Sequence, residues 1–383
     1  MRVYNPTDIG DRNKLSILRM VKNNDGISRQ ELSKRLHLSA PAVSNNVALL
    51  IDNGIIFENG CDDTSLGRKP KQLSYNANLY HVISVEILPG SIRGGIADLY
   101  GNILHSTKRS LNKKGEAKNV IEKFDEVIDE LLEKKPKEID VITMTVGVPS
   151  LTGQDDNNDL LMTYFKDWKN NDLENHILNK YKFETNIVND VELALLGERE
   201  KGVVKDQKNI LYIKYGVGFA ARAIVDGYLL KGHNMAAGEL GYYIESANDV
   251  GDYFVCPGRF EKKICNDDLQ QSDKHTSLTE LINAAENGDI QAKNKVDDII
   301  KRIAAVIANT VLMLNSEIVI LGGDSEIFNE ENINIIQSLL DKVCPFSPKV
   351  AASGLGVDAP IYGGIKVALD TAEEKLNMLW KSK

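Results

Sequence analysis

The chain has 383 residues, 42% hydrophobic and 26% charged, a balance of soluble globular proteins and a length beyond what one ordinary core fills. No stretch approaches the roughly 20 apolar residues that a membrane span needs, and Met1 to Asp25 show neither an apolar signal core nor a small-residue cleavage site, so a cytoplasmic protein is expected. Cys61, Cys256, Cys265 and Cys344 lack the Cys-x-x-Cys spacing of a zinc or redox site, so reduced thiols, no metal and no cofactor are expected.

Charge is unevenly spread. Met1 to Asn78 hold 11 Lys/Arg against 8 Asp/Glu, a net +3, and the remainder holds 35 against 47, a net −12. A mildly basic head on an acidic body fits a nucleic-acid-binding module joined to a domain that does not touch the polymer. In the head, Leu15, Ile17, Leu18 and Val21 recur at helical spacing after Asp11, predicting a helix from about Arg12 to Asn23. Ser28-Arg29-Gln30-Glu31 has the capping-box pattern and opens a second helix ending near His37. Ser39 caps a third, begun by Ala40-Pro41, where proline forfeits no needed hydrogen bond.

On the third helix Val43, Val47 and Leu50 share one face, and Pro41, Ser44, Asn45 and Ala48 the other. After Asp52-Asn53-Gly54, the runs Ile55 to Phe57 and Lys71 to Tyr75 read as paired strands around the basic turn Gly67-Arg68-Lys69-Pro70. Helices, turn, wing and basic tip in that order predict a winged helix-turn-helix over residues 1–78 with a double-stranded DNA operator as partner. Candidate DNA contacts are Arg29, Ser39, Ala40, Pro41, Ser44 and Asn45 on the helices, with Arg68 for the minor groove and Lys69 for phosphate. The plainer alternative is the polar face of any three-helix bundle beside a solvated basic turn.

Beyond Tyr75 the pattern becomes α/β. His81 to Leu88, Ile92 to Asp98 and Ile103-Leu104 read as a β-meander, Val120 to Leu132 as a helix, and Ile139 to Val146 as a buried strand ended by a tight loop at Gly147-Val148-Pro149. Ile187-Val188 leads into Asn189-Asp190 at a strand end, followed by a helix from Val191 to Lys201; ligands in α/β folds lie at such ends. A second meander is expected from Asn209 to Ile213 and Ala220 to Val225, turned by Asp226-Gly227. A helix over Asp289 to Leu314, with Ile299, Ile303, Val306, Ile307 and Thr310 on one face, precedes a strand from Glu317 to Leu321 and the turn Gly322-Gly323. Two comparable halves predict actin-like or hexokinase-like lobes over 79–200 and 201–383, with the C-terminal helix able to return to the first.

Across nearly its whole length the chain resembles the ROK family of repressors and sugar kinases. The resemblance rests on Ala97-Asp98-Leu99-Tyr100-Gly101, Gly147-Val148-Pro149, Val188-Asn189-Asp190 with Leu196-Gly197-Glu198, Ala237-Gly238-Glu239-Leu240-Gly241, and Ile320-Leu321-Gly322-Gly323. It implies a two-lobed, usually dimeric domain binding a sugar or sugar derivative, with Gly147, Asn189, Asp190, Glu239, Tyr242 and Glu261 as ligand contacts. Carboxylates accept directional hydrogen bonds from sugar hydroxyls; the competing reading of Asn189 and Asp190 is a helix N-cap.

Two departures bear on function. Family kinases carry Asp-x-Gly where this chain has Glu86-Ile87-Leu88, and a glycine-rich hairpin where it has Gly216 to Arg222, so Leu88, Phe219 and Arg222 stand where phosphate needs exposed backbone. Many members also hold zinc with a His after Gly-Glu-x-Gly and three cysteines; here Tyr242, Asp252, Phe254 and Arg259 fall at those positions. The expected function is a non-enzymatic, sugar-responsive transcriptional regulator of carbohydrate genes, a homodimer or dimer of dimers acting as a repressor. The alternatives are an active sugar kinase with a regulatory head, and a ligand-independent DNA-binding protein with a vestigial pocket.

Overall fold

The computed structural model describes residues 6–59, 71–111, 117–149, 170–216, 218–250, 257–265, 278–323 and 326–379. The head is built from α1 (Pro6–Asn23), β1 (Ile27–Ser28), α2 (Arg29–Leu36), α3 (Ala40–Asp52), β2 (Ile56–Asn59) and β3 (Gln72–Tyr75). Helix α1 starts six residues earlier than its apolar periodicity implies, at Pro6, because proline fits the first turn. The capping box forms: Glu31 N–H donates to Ser28 Oγ at 3.2 Å, and Ser28 N–H to Glu31 Oε2 at 3.0 Å. Ser39 caps α3 by accepting from Ala42 N–H. The wing strands pair antiparallel, and β1, too short to show in the pattern, adds to β3.

The two lobes repeat one topology. The first contains β4 (His81–Leu88), β5 (Ser91–Ala97), β6 (Ile103–Ser110), α4 (Ala117–Lys134), β7 (Val141–Val148), α5 (Asn170–Tyr181), β8 (Thr185–Asn189) and α6 (Asp190–Glu200), with sheet order β6-β5-β4-β7-β8. The second contains β9 (Ile210–Tyr215), β10 (Phe219–Val225), β11 (Tyr228–Leu229), α7 (Arg259–Ile264), α8 (Leu278–Glu286), α9 (Ile290–Leu314), β12 (Ile318–Gly322), α10 (Glu330–Val343), β13 (Lys349–Ala352) and α11 (Ala359–Leu379), with order β11-β10-β9-β12-β13. In each, an antiparallel meander is extended by parallel strands reached through helical crossovers. The second meander turns at Asp226-Gly227, both with positive φ as a tight hairpin needs.

One expected boundary is wrong. Strand β7 runs through Gly147 to Val148, so Gly147 lies inside the sheet opposite Glu86 and Val188 rather than in a loop. A Cβ on Gly147 would come within 2.9 Å of Leu193 Cδ1, so this glycine serves close packing of α6 on the sheet.

Helix α11 follows both lobes in sequence but packs on the first, against α6, β4 and β7. Gly197 and Gly363 let the two helices touch backbone to backbone: a Cβ on Gly197 would lie 2.0 Å from Ala359 O, and one on Gly363 1.8 Å from Leu193 O. The same helix also joins the head. Ile361, Ile365, Ala368, Ala372 and Leu376 belong to one buried cluster with Ile17, Leu18, Val21, Val47 and Leu50. Arg19 Nε also donates to Glu373 Oε1 at 2.8 Å, and Leu99 N–H to Ala77 O at 2.9 Å. No helix among the described residues is long and apolar enough to cross a membrane.

Candidate functional site

The head presents α3 as foreseen. Val43, Val47 and Leu50 are buried, while Ser39, Ala40, Pro41, Asn45 and Ala48 are exposed and Ser44 is half-buried. The exposed side chains are small or polar and cluster near the N-terminal end of the helix, the part of a recognition helix placed nearest to base edges. Arg29 is placed otherwise. Its guanidinium clasps Glu58 Oε1 on the wing, with Nη2 at 2.7 Å and Nε at 3.1 Å, and donates to Ser44 O at 3.3 Å. Lys71 Nζ holds the other oxygen of Glu58 at 2.6 Å. Arg29 thus braces recognition helix to wing. Arg68 and Lys69 lie outside the described residues.

In the body, the foreseen ligand residues fall into two groups. Asn189 ends β8 and caps α6, its Oδ1 accepting from Val191 and Glu192 N–H at 3.1 Å each. Asp190, 4% exposed, is the first residue of that helix, where an anion is favoured by the exposed N–H groups. Its Oδ2 takes a hydrogen bond from Lys214 Nζ at 2.5 Å, across the junction of the two lobes. Lys214 Nζ also lies 3.7 Å from Glu86 Oε1, while Glu86 Oε2 is gripped by Arg93, its cross-strand partner on β5. Burial pushes the Glu86 carboxyl above the usual carboxylate range, against the pull of Lys214 and Arg93.

The second group surrounds the short helix Leu240–Tyr242. Arg222, 3% exposed, turns inward rather than into the cleft: its Nη1 donates to Ala221 O and Ala237 O at 2.7 and 2.9 Å, and its Nη2 to Glu239 Oε1 at 3.1 Å. Phe219 is likewise buried, packed on Tyr215 and Phe260. Both were expected to obstruct phosphate sterically; instead a core contact and a set of carbonyl acceptors take them out of the way, and Leu88 is buried too. Glu261 lies beside this helix, its Oε2 accepting from Phe219 N–H at 3.5 Å, and a Cβ on Gly241 would meet that oxygen at 2.5 Å. Tyr242 is half-buried on the same turn. The ladder joins the groups: Lys214 pairs with Ala220, two residues from Arg222 on β10.

A cavity of about 10 Å³, room for roughly one water, lies between the lobes, lined by Glu86, Arg93, Tyr212, Lys214, Gly323 and Pro360 among others. Asn189, Asp190, Glu239 and Glu261 do not line it. Glu86 Oε1 is buried there without a hydrogen-bond partner. Glu198, from the Leu196-Gly197-Glu198 motif, is an anchor: its carboxylate accepts from Val203, Gly354 and Leu355 N–H and from Ser353 Oγ–H, tying α6 to the segment that leads into α11.

Sequence reasoning missed Lys214 and Arg93 and assigned Arg222 the wrong part. A signal existed for Lys214: it is the one charged residue in the otherwise buried run Ile210–Tyr215, and a lysine inside such a strand requires a buried partner. The pairing of Arg29 with Glu58 had no local signal.

Residues 82–370 match the ROK family, and residues 10–56 match a winged helix-turn-helix DNA-binding family. The xylose repressor of Bacillus subtilis is 24% identical over 99% of this chain and all of its own length. The crystal structure of a ROK family transcriptional regulator, a homologue of the E. coli MLC protein, superposes with a TM-score of 0.76 at 20% identity, covering 97% of this chain and 98% of that one. A ROK family glucokinase from Streptomyces griseus, solved with glucose and AMPPNP, gives 0.61 at 17% identity over 76% of this chain and 99% of its own. The kinase likeness covers less of this chain than the regulator likeness, which extends through nearly all of it. With three quarters of its length matched by one family and the winged head in front, the chain belongs to the ROK family.

Proposed function

We propose that this protein is a DNA-binding transcriptional repressor whose ROK domain senses a sugar, with xylose the first candidate because a repressor of similar length and organisation carries that name. The observation that carries the reading is the route through α11. Residues along that helix from Ile361 to Leu376 share a buried cluster with the head, and Glu373 takes an ion pair from Arg19 of α1. Its first turns abut α6, which begins at Asn189-Asp190, where a sugar hydroxyl would bind. A shift of α6 on ligand closure therefore moves a rigid element in contact with the DNA-binding module. A homodimer would present two α3 helices to a two-fold operator, with half-sites roughly 34 Å apart.

The protein does not act as a kinase in this reading. Asp190, which would serve as the base, is held by Lys214, and a lysine cation occupies the space between Asp190 and Glu86. A base already hydrogen-bonded to a cation is a weak acceptor for a sugar proton. The test starts from duplexes selected from a random library by the full chain, whose affinity is then titrated with D-xylose and D-glucose. The expected result is a palindromic operator and a loss of affinity of about 5- to 150-fold with one sugar. Affinity unmoved by every sugar would support the vestigial-pocket alternative, and ATP-dependent phosphorylation of either sugar would support the kinase.

A further inference from the structure

In many ROK proteins a metal holds the segment that follows Gly-Glu-x-Gly, and this chain cannot reproduce that arrangement. Tyr242 offers a phenol where an imidazole is needed, and Arg259 places a cation where a thiolate is needed. Among the described residues no group of three or more His, Cys, Asp or Glu side chains could hold a metal ion.

The segment is nonetheless fixed, by charge. Glu245 lies between the short helices Leu240–Tyr242 and Ala247–Asp249. Arg302 Nη1, from α9, donates to both oxygens of its carboxylate at 2.7 and 2.8 Å, and Lys263 Nζ, from α7, donates to Oε2 at 2.8 Å. The same Lys263 reaches Asp249 Oδ2 at 3.5 Å, and Arg302 Nε is aligned by Asp298 Oδ2 at 2.7 Å. Tyr243 adds an edge-on contact with Phe260 of α7 at 5.8 Å and a hydrogen bond with Asn309 of α9. Two separate helices thus converge on one carboxylate that is 19% exposed.

We propose that Glu245 is the positioning residue of the effector segment, clamped by Lys263 and Arg302 in the place where relatives use zinc, so that Glu239 and Tyr242 are set by an ion-pair network. The inference rests on the sugar-sensing reading above. A single exposed ion pair contributes little, but a network built on a shared, largely buried carboxylate and an aligned guanidinium holds geometry better. Its strength falls with ionic strength, as a metal site's would not.

The test uses the full chain and three variants: Glu245→Gln, Glu245→Asp and, as a second route through another helix, Arg302→Gln. Hydrogen exchange of residues 239–249 is read without sugar, and D-xylose affinity by calorimetry at low and high NaCl. Glu245→Gln and Arg302→Gln are expected to speed exchange in the segment and weaken D-xylose binding by about five- to tenfold at low salt. Glu245→Asp should restore part of both. Salt should weaken the wild type more than Glu245→Gln, and EDTA should change nothing. Unchanged exchange in both Gln variants, or a segment loosened by EDTA and tightened by added zinc, would overturn the proposal. A wild type that ignores D-xylose while its segment loosens in the variants would refute that sugar as effector and leave the clamp supported.

Discussion

Lys214 is one of the residues on which the two lobes meet. Removing one partner from a buried ion pair leaves the other charge without compensation, so Lys214→Met is expected to lower stability by about 3 kcal/mol in a denaturant titration. The double variant Lys214→Met/Asp190→Asn should recover part of that loss; a double variant no better than the single one would show that the pair is not the source. At the DNA face, Asn45→Ala should weaken operator binding by about 1–3 kcal/mol and relax preference at one base pair, as read by competition among operator variants. Arg29→Ala should act differently. Because its guanidinium is spent on Glu58 and Ser44, it should loosen α3 against the wing and weaken binding to all sequences alike.

Two elements carry further expectations. The wing is tied by Glu58, whose carboxyl is held below the usual value chiefly by the hydrogen bond from Lys71, with Arg29 adding to it after the opposing effect of burial. A lowered folded value means the stabilisation is present above the unfolded value of 4.5 and is lost as pH falls below it. The thermal stability advantage of wild type over Glu58→Gln should therefore hold at neutral pH and shrink on acidification through that range. Helix α11 makes the second case. Gly363→Ala places a methyl group against the backbone of α6, so it should both destabilise the fold and blunt the response of operator affinity to sugar.

These elements also mark what could be read from the amino-acid order. Capping at Ser28 and Ser39, the apolar face of α3 and the strand-end position of Asn189-Asp190 are local, and local chemistry specifies them. Gly147 was misplaced because glycine in a sequence signals a turn as readily as close packing, and only the approach of Leu193 distinguishes the two. Arg29 and Glu58 are 29 positions apart, Arg222 and Glu239 17; side chains that meet only after folding leave no trace in periodicity. The charge clamp on Glu245 is of the same kind, since α7, α9 and the intervening segment come together only in the folded lobe.

At the scale of the whole molecule, head, first lobe and C-terminal helix share one buried cluster, and the second lobe is joined to them by the apolar packing of α6 on β9, β10 and β12, by Lys214 and by the anchor at Glu198. Sensing and DNA binding therefore share a body instead of communicating across a slack tether. The position of α11 has a further consequence for biosynthesis. It is translated after both sheets, yet it supplies one wall of the apolar cluster beneath the head. A polypeptide still emerging from the ribosome, or one cut short ahead of Ala359, would have a reader module with its underside bare, and such fragments should fail to occupy operators they could never release on cue.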